Sequence, residues 1–276
     1  MGQGRLALSY LARLPSFLRE LALVKGTNER TSSRLRNALH AGEWVNDYES
    51  LERCKLLWIA VSEDSLPAIL SELAEVVDLG GRMIVLADTL RDSGFFSLLA
   101  QRGARVATVN LMPESSDRVF VTEGHSDVVK ELRRILESDN RKLIELRPGA
   151  KPMFVSGIHL SAHMLLPFAG AAVESFRFAG LTRNEAALAM QAIASNALRA
   201  YVRGGDRALP REHAELMRKV LDESRETLRA MNPRMAELYD ADPGMWLFYV
   251  GAQLFWRGSA QKDDAGARLK AARRGA

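Results

Sequence analysis

Few residues in this chain have types and spacings that do chemistry. Gly2-Gln3-Gly4-Arg5-Leu6-Ala7 has the form G-x-G-x-x-A and runs into an amphipathic stretch, Leu6 to Leu14. In a dinucleotide-binding turn, the first glycine makes the tight turn and the second lets a pyrophosphate approach the backbone. The third small residue packs helix on strand, while the helix N-terminus supplies free amides and a positive dipole end. Gly2, Gly4, Arg5 and Leu6 are therefore candidate pyrophosphate contacts, although two glycines near a chain start also arise by chance. The next loop, after the apolar run Leu21 to Val24, offers Lys25, Asn28, Glu29 and Arg30. It has no acid at the strand end to hold a ribose hydroxyl, and Lys25 and Arg30 would hold a 2′-phosphate, so NADP is favoured over NAD. Read blandly, both are solvated loop charges.

Further along, Lys151 opens an uncharged segment, where a lysine either donates a proton, binds an acidic substrate or is simply solvated. His159 and His163 stand at i and i+4, a spacing two metal ligands use, but no Glu lies between them and no Cys is near, so no metal is expected. His163 instead reads as a polar group lining a substrate cleft, or as a packed interface histidine. The single cysteine, Cys54, makes an internal disulfide impossible and points to a reducing compartment, by default the cytoplasm.

The elements that must position these residues follow from periodicity. Apolar runs at Leu21–Val24, Leu56–Val61, Met83–Ala87, Arg105–Val109 and Val119–Thr122 suit strands covered on both faces. Between them lie helical patterns at Leu6–Glu20, Thr31–His40, Leu66–Val77, Phe95–Gln101 and Ser126–Glu137. This alternation predicts an α/β domain with a parallel sheet over residues 1–147. An all-helical domain over 148–256 follows, with stretches at Lys151–Ala179, Thr182–Val202 and Arg211–Met231, a capping box at Thr182 and Glu185, and an aromatic run from Trp246 to Trp256. Residues 257–276 form an expected disordered basic tail, whose six basic and two acidic residues account for the whole formal charge of +4. The neutral body excludes a basic stripe for nucleic acid. Pro152–Val173 carries no Asp, Glu, Lys or Arg and is long enough to span a bilayer, but its histidines, serines and Pro167 favour a helix buried in a core or subunit interface. Arg5, Arg13, Arg19 and Glu20 interrupt any secretory apolar stretch. One expectation is awkward: a dinucleotide fold places its first, central strand immediately before the first glycine, and Met1 leaves no room for one.

Taken together, Gly2 to Ala7, Leu57 to Asp64 (LWIAVSED), Lys151 to Phe154 opening the uncharged helix, and Phe178 to Leu181 resemble an uncharacterised Rossmann-like oxidoreductase family. Its relatives are pyrroline-5-carboxylate reductase, deazaflavin-dependent NADP reductase and 6-phosphogluconate dehydrogenase. The resemblance implies an NADP-binding domain, then a 6-phosphogluconate-dehydrogenase-like helical domain that dimerises, with hydride transfer to or from a small molecule in the cleft between them. Ala60, Val61, Ser62, Glu63 and Asp64 match the family's Ala-Val-Pro-Asp-Asp loop beside the cofactor, with Ser62 in place of proline. Ala60, Val61, Ser62 and Asp64 would thus border the nicotinamide, and Lys151 and His163 would contact substrate. The chain departs from the family where Leu86 to Thr89 replace His-Thr-Ser-Gly, Asn110-Leu111 replace His-Pro, Phe154-Val155 replace Tyr-His and Ala162-His163 replace Ser-Asn. Such departures predict a cleft that has turned apolar. They keep open a second class of function, a non-catalytic homodimeric interaction protein with a degenerate site.

Overall fold

The computed structural model describes residues 1–112, 119–205, 216–217, 219–220, 222–233 and 236–237. The chain forms two compact units, Met1–Ser161 and one beginning at Ala162.

The first unit is a sheet with helices on both faces. In chain order it contains α1 (Gly4–Leu11), α2 (Pro15–Glu20), β1 (Leu23–Lys25), α3 (Glu29–Leu39), β2 (Glu43–Val45), β3 (Leu56–Ile59), α4 (Leu66–Val76) and β4 (Met83–Ala87). Then come α5 (Ser97–Gln101), β5 (Arg105–Leu111), β6 (Val119–Gly124), α6 (Ser126–Ser138), β7 (Lys142–Glu145) and α7 (Lys151–Ile158). Strands β3-β4-β5-β6-β7 form a five-stranded sheet, and β1 pairs in parallel with β2 beside it.

Side-chain alternation explains the continuous apolar runs. Trp58, Ala60, Val85, Ala87, Ala107 and Val109 point into one core with α1, α3 and α6, whereas Leu57, Ile59, Ile84, Leu86 and Val106 point into a second core with α4 and α5. Both faces are covered, so no polar residue is needed at alternate positions. Each fully buried Ile or Leu contributes roughly 1.5–3 kcal/mol relative to exposure.

Several expectations are corrected. The stretch Leu6–Glu20 is two helices, because Pro15 removes a backbone donor and starts a new helix rather than continuing the old one. The sheet is mixed: β6 runs antiparallel to β5, while the other pairs are parallel. The short connection 112–118 is the reason, since a parallel crossover needs a dozen residues or more. Strands β2 and β7 were not foreseen; each is short and carries exposed charge. The first strand is not wholly lacking, because Met1–Gln3 occupy its place. The Gly2 N–H donates to Lys25 O at 2.9 Å, Gln3 N–H donates to Ala60 O at 2.8 Å, and Gly2 bridges Ala60 in parallel.

The second unit holds α8 (Leu165–Phe178) and α9 (Arg183–Gly204), followed by a further helix over Arg225–Met231. Thr182 and Glu185 form the expected capping box. A π-turn at His159–His163 links α7 to α8. Lys151–Phe178 is long and apolar enough to cross a membrane by length and composition, and none of its apolar window is buried within the chain. Residues 211–215, 218 and 221 of the stretch Arg211–Met231, the aromatic run Trp246–Trp256 and the tail 257–276 lie outside the described residues.

Candidate functional site

The C-terminal ends of β3, β4 and β5 lie along one edge of the sheet, where open α/β sheets bind ligands, and the turn into α1 is bonded to the ends of β1 and β3 through Lys25 O and Ala60 O. The glycine turn leads from the Met1–Gln3 stub into α1. A Cβ on Gly2 would lie 2.4 Å from the Ala7 Cβ, so this position must be glycine for the helix to pack against the stub. Gly4 differs: its φ is +37° and a Cβ there would meet nothing within 4 Å. Gly4 and Arg5 are exposed and the first turn of α1 has no side-chain cap, while the Leu6 N–H donates to Gln3 O at 3.1 Å.

Cavities flank this turn. One of about 290 Å³ is lined by Gly2, Gln3, Lys25, Tyr48, Val61 and Ile69 among others. Another of about 450 Å³ is lined by Gln3, Gly4, Thr27, Thr31 and Arg34 among others. The second lies at the N-terminus of α3, where the Asn28 side chain accepts from the Thr31 N–H and caps the helix. Gln3 ties the turn to the loop after β3. Its Nε2 donates to Ser65 Oγ at 2.9 Å, and its Oε1 accepts from the Ser62 N–H at 2.9 Å.

Farther along the edge stands a buried polar cluster. The Lys151 ammonium donates to Thr108 Oγ1 at 2.7 Å and Asn110 Oδ1 at 2.6 Å. Thr108 Oγ1 donates in turn to Glu123 Oε1 at 2.7 Å, and Glu123 also accepts from the Ser93 N–H and hydroxyl, each at 2.8 Å. Lys151 is 1% and Glu123 4% exposed. Burial brings the Lys151 ammonium down to about 8, against the raising effect of Glu123 and, more weakly, Glu63, Asp92 and Asp88. Asp88, at φ +67°, accepts from the Tyr10 hydroxyl at 2.9 Å, and Tyr10 accepts from the Leu111 N–H at 3.1 Å. Partial burial raises the Asp88 carboxyl above its ordinary range, with the Tyr10 hydrogen bond opposing. Chemically, the edge offers uncapped helix amides for an anion at one end and titratable groups shifted toward neutrality at the other.

Solved structures share this fold. An imine reductase from Bacillus cereus superposes with a TM-score of 0.62 at 15% identity, covering 88% of this chain and 91% of that one. For a pyrroline-5-carboxylate reductase from Coxiella burnetii the values are 0.53, 13%, 87% and 95%. For an imine reductase from Myxococcus stipitatus, solved with NADP+, they are 0.60, 12%, 87% and 90%. The chain has the fold of these reductases. No protein-family model matches the sequence, and no curated protein matches it.

The structure brings Gly2, Gly4, Arg5, Ala60, Val61, Ser62 and Asp64 to the same sheet edge, with Ser62 and Asp64 exposed and Ala60 and Val61 buried beneath them. Leu6, partly buried, packs against the core. Lys25 is corrected: it is not a solvated loop charge, because its ammonium donates to Asn46 O at 2.8 Å and lies 4.3 Å over the Tyr48 ring. Arg30 is exposed in the first turn of α3, and Arg34 one turn on, unmarked in the sequence, lines the second cavity. Lys151 is buried, and His163 is exposed in the second unit. Among the described residues no group of three or more potential metal ligands exists. Beside the apolar replacements Leu86 and Leu111, Asp88, Thr89 and Asn110 are hydrogen-bonded polar groups at the sheet edge. Glu123, Thr108 and Tyr10 went unnoticed. Of these only Thr108 carries a signal: with Asn110 it interrupts a strand run that is otherwise apolar.

Proposed function

We propose that this chain is an NADP-dependent oxidoreductase acting on a small molecule. The observation that carries this is the turn Gly2-Gln3-Gly4, where Gly4, with open space above its Cα, stands at the N-terminus of α1 and lines one of the two cavities that flank the turn. Pyrophosphate would sit on the amides of Gly4, Arg5 and Leu6, the adenine against Tyr48 and Ile69, and the 2′-phosphate beside Thr31, Arg34 and Arg30. When bound, the nicotinamide would supply or accept the hydride. Ala60, Val61, Ser62 and Asp64 would border it, with Gln3 fixing the height of that loop through Ser62 and Ser65.

Lys151 would serve the proton step. An ammonium near 8 loses its proton at little cost around neutral pH, and Asn110 and Thr108 hold it at a fixed place on the sheet edge. His163 enters this proposal on its sequence position alone. The imine and pyrroline-5-carboxylate reductases named above support a C=N substrate class, carried here by fold likeness only. The protein would be a soluble cytoplasmic homodimer, the second copy covering the apolar sides of α8 and α9.

The test is direct. NADPH in excess should raise the melting temperature by several degrees and NADH much less, with matching changes in NADPH fluorescence. Absence of both effects would leave the second reading, a non-catalytic homodimer. That reading draws on the Lys151 ammonium being held by two internal partners, Thr108 and Asn110.

A further inference from the structure

Residues 88–93 follow β4 along the sheet edge, and buried side chains hold the segment near both ends. Asn110 Nδ2 donates to Thr89 O at 3.1 Å, and Glu123 accepts from the Ser93 N–H and hydroxyl. Lys151 bonds Asn110 and Thr108, and Thr108 bonds Glu123, so one cluster fixes both points. From the loop after β3, Glu63 accepts from Thr89 Oγ1 at 3.2 Å and from Arg91 Nε at 3.0 Å. A segment tied this often keeps one shape.

Asp88 opens the segment in an unusual state. Its φ of +67° is a left-handed conformation that favours glycine, and such outliers gather where function holds them. The Asp88 N–H donates to Val109 O at 2.9 Å, while the exposed carboxylate accepts from Tyr10, whose ring is buried and whose oxygen is fixed in turn by the Leu111 N–H. Other charges nearby are taken up: Glu63 by Arg91, Asp92 by the Phe95 N–H, Glu123 and Lys151 within the buried cluster. Among the described residues Asp88 has no ion pair, so this edge presents one fixed, open negative charge. Beside it, Leu90 is 58% exposed.

We propose that Asp88 sets substrate choice at this edge, its carboxylate accepting an N–H from a protonated nitrogen while an apolar part of the same molecule lies over Leu90. This rests on the oxidoreductase reading, which brings substrate to the C-terminal edge of the sheet. A hydrogen bond between opposite charges is roughly twice as strong as one between neutral groups, so the cation is preferred over an alcohol of the same shape. A carboxylate placed there is repelled, which turns acids away. Lys151 contributes by holding the segment in place, through Asn110 and through Thr108 and Glu123.

The experiment titrates n-butylammonium, n-butanol and butyrate at neutral pH into the parent chain and Asp88→Asn, reading the amide shifts of Thr89 and Leu90. Asparagine tolerates the left-handed backbone and keeps an oxygen for the Tyr10 hydroxyl, so the charge alone is lost. n-Butylammonium should shift both amides in the parent and bind Asp88→Asn about tenfold or more weakly, with n-butanol weak in both proteins and butyrate in neither. Equal n-butylammonium affinity in the two proteins would overturn the proposal. So would butyrate binding the parent as well as n-butylammonium does, a comparison that stands even where Asp88→Asn fails to fold. NADPH fluorescence on both proteins reads the oxidoreductase proposal separately. NADPH binding with equal n-butylammonium affinity removes the role of Asp88 and leaves that proposal standing; no NADPH binding with the cation preference intact does the reverse.

Discussion

Gly2 and Gly4 are glycines for different physical reasons, and substitution separates them. Gly2→Ala drives a Cβ to 2.4 Å from the Ala7 Cβ, so it should cost about 1–3 kcal/mol in urea unfolding through overpacking. Gly4→Ala meets no neighbour and should cost only about 1 kcal/mol for its left-handed backbone, yet weaken NADPH binding about tenfold or more by intruding where the phosphate would lie. Undiminished binding by Gly4→Ala would move the pyrophosphate elsewhere. Lys151 gives a pH prediction. Its ammonium falls from an ordinary 10.5 to about 8 in the fold, so between those values the unfolded chain holds the extra proton. Stability from this group therefore rises with pH across that window, and its penalty is fully present below about 8. In Lys151→Met that part of the slope should vanish. Parallel stability curves from pH 7.5 to 10.5 would show that Lys151 is not desolvated as described. Gly2 and Lys151 were legible as candidates because their types are chemically unusual at those positions. Tyr10 and Glu123 were not, because a tyrosine on an amphipathic helix and a glutamate at a strand end look ordinary until the partners, Asp88 and Thr108, are brought from distant parts of the chain.

Among the elements, the runs that became β3, β4 and β5 were legible because both of their faces are buried, and that condition writes itself as a continuous apolar stretch. Short edge elements such as β2 and β7 are set by backbone pairing and carry charge outward, so they left no such trace. The direction of β6 was readable only through the brevity of 112–118. Its pairing with β5 depends on Gly124, at φ +135°, where a Cβ would lie 2.5 Å from both Ala107 Cα and Val106 O. Gly124→Ala should therefore cost more than about 3 kcal/mol, at the upper end for overpacking with backbone strain added. Thermal unfolding by circular dichroism would read this as a large drop in melting temperature, and a drop of only a degree or two would mean that the strand end shifts freely. Glu123, next to it, is also positioned by this turn, so the substitution should disturb the Lys151 cluster as well.

At the scale of the whole molecule, the exposed apolar side chains of the second unit decide the expected assembly. Leu166 is 68% and Leu188 64% exposed, with Phe178, Ile193 and Leu198 also open, more apolar surface on two paired helices than a soluble monomer ordinarily shows. A second copy covering these helices should give a dimer of about twice 30.6 kDa in light scattering, and Leu166→Glu with Leu188→Glu should give monomers. A monomeric parent chain would instead reopen the membrane interpretation of Lys151–Phe178. By itself, the sequence determined the succession of a doubly covered sheet and a helical half, the glycine turn and the charge neutrality of the body. These are properties of local periodicity and residue type, which each segment carries without its neighbours. Only the tertiary structure decided that Met1–Gln3 stand in a strand's place, that Lys25 turns inward while Arg34 lines a cavity, and that Lys151, Thr108, Asn110 and Glu123 share one buried cluster. These depend on which residues folding brings within hydrogen-bond reach and removes from water, and neither separation nor burial is written in the order of residues along the chain.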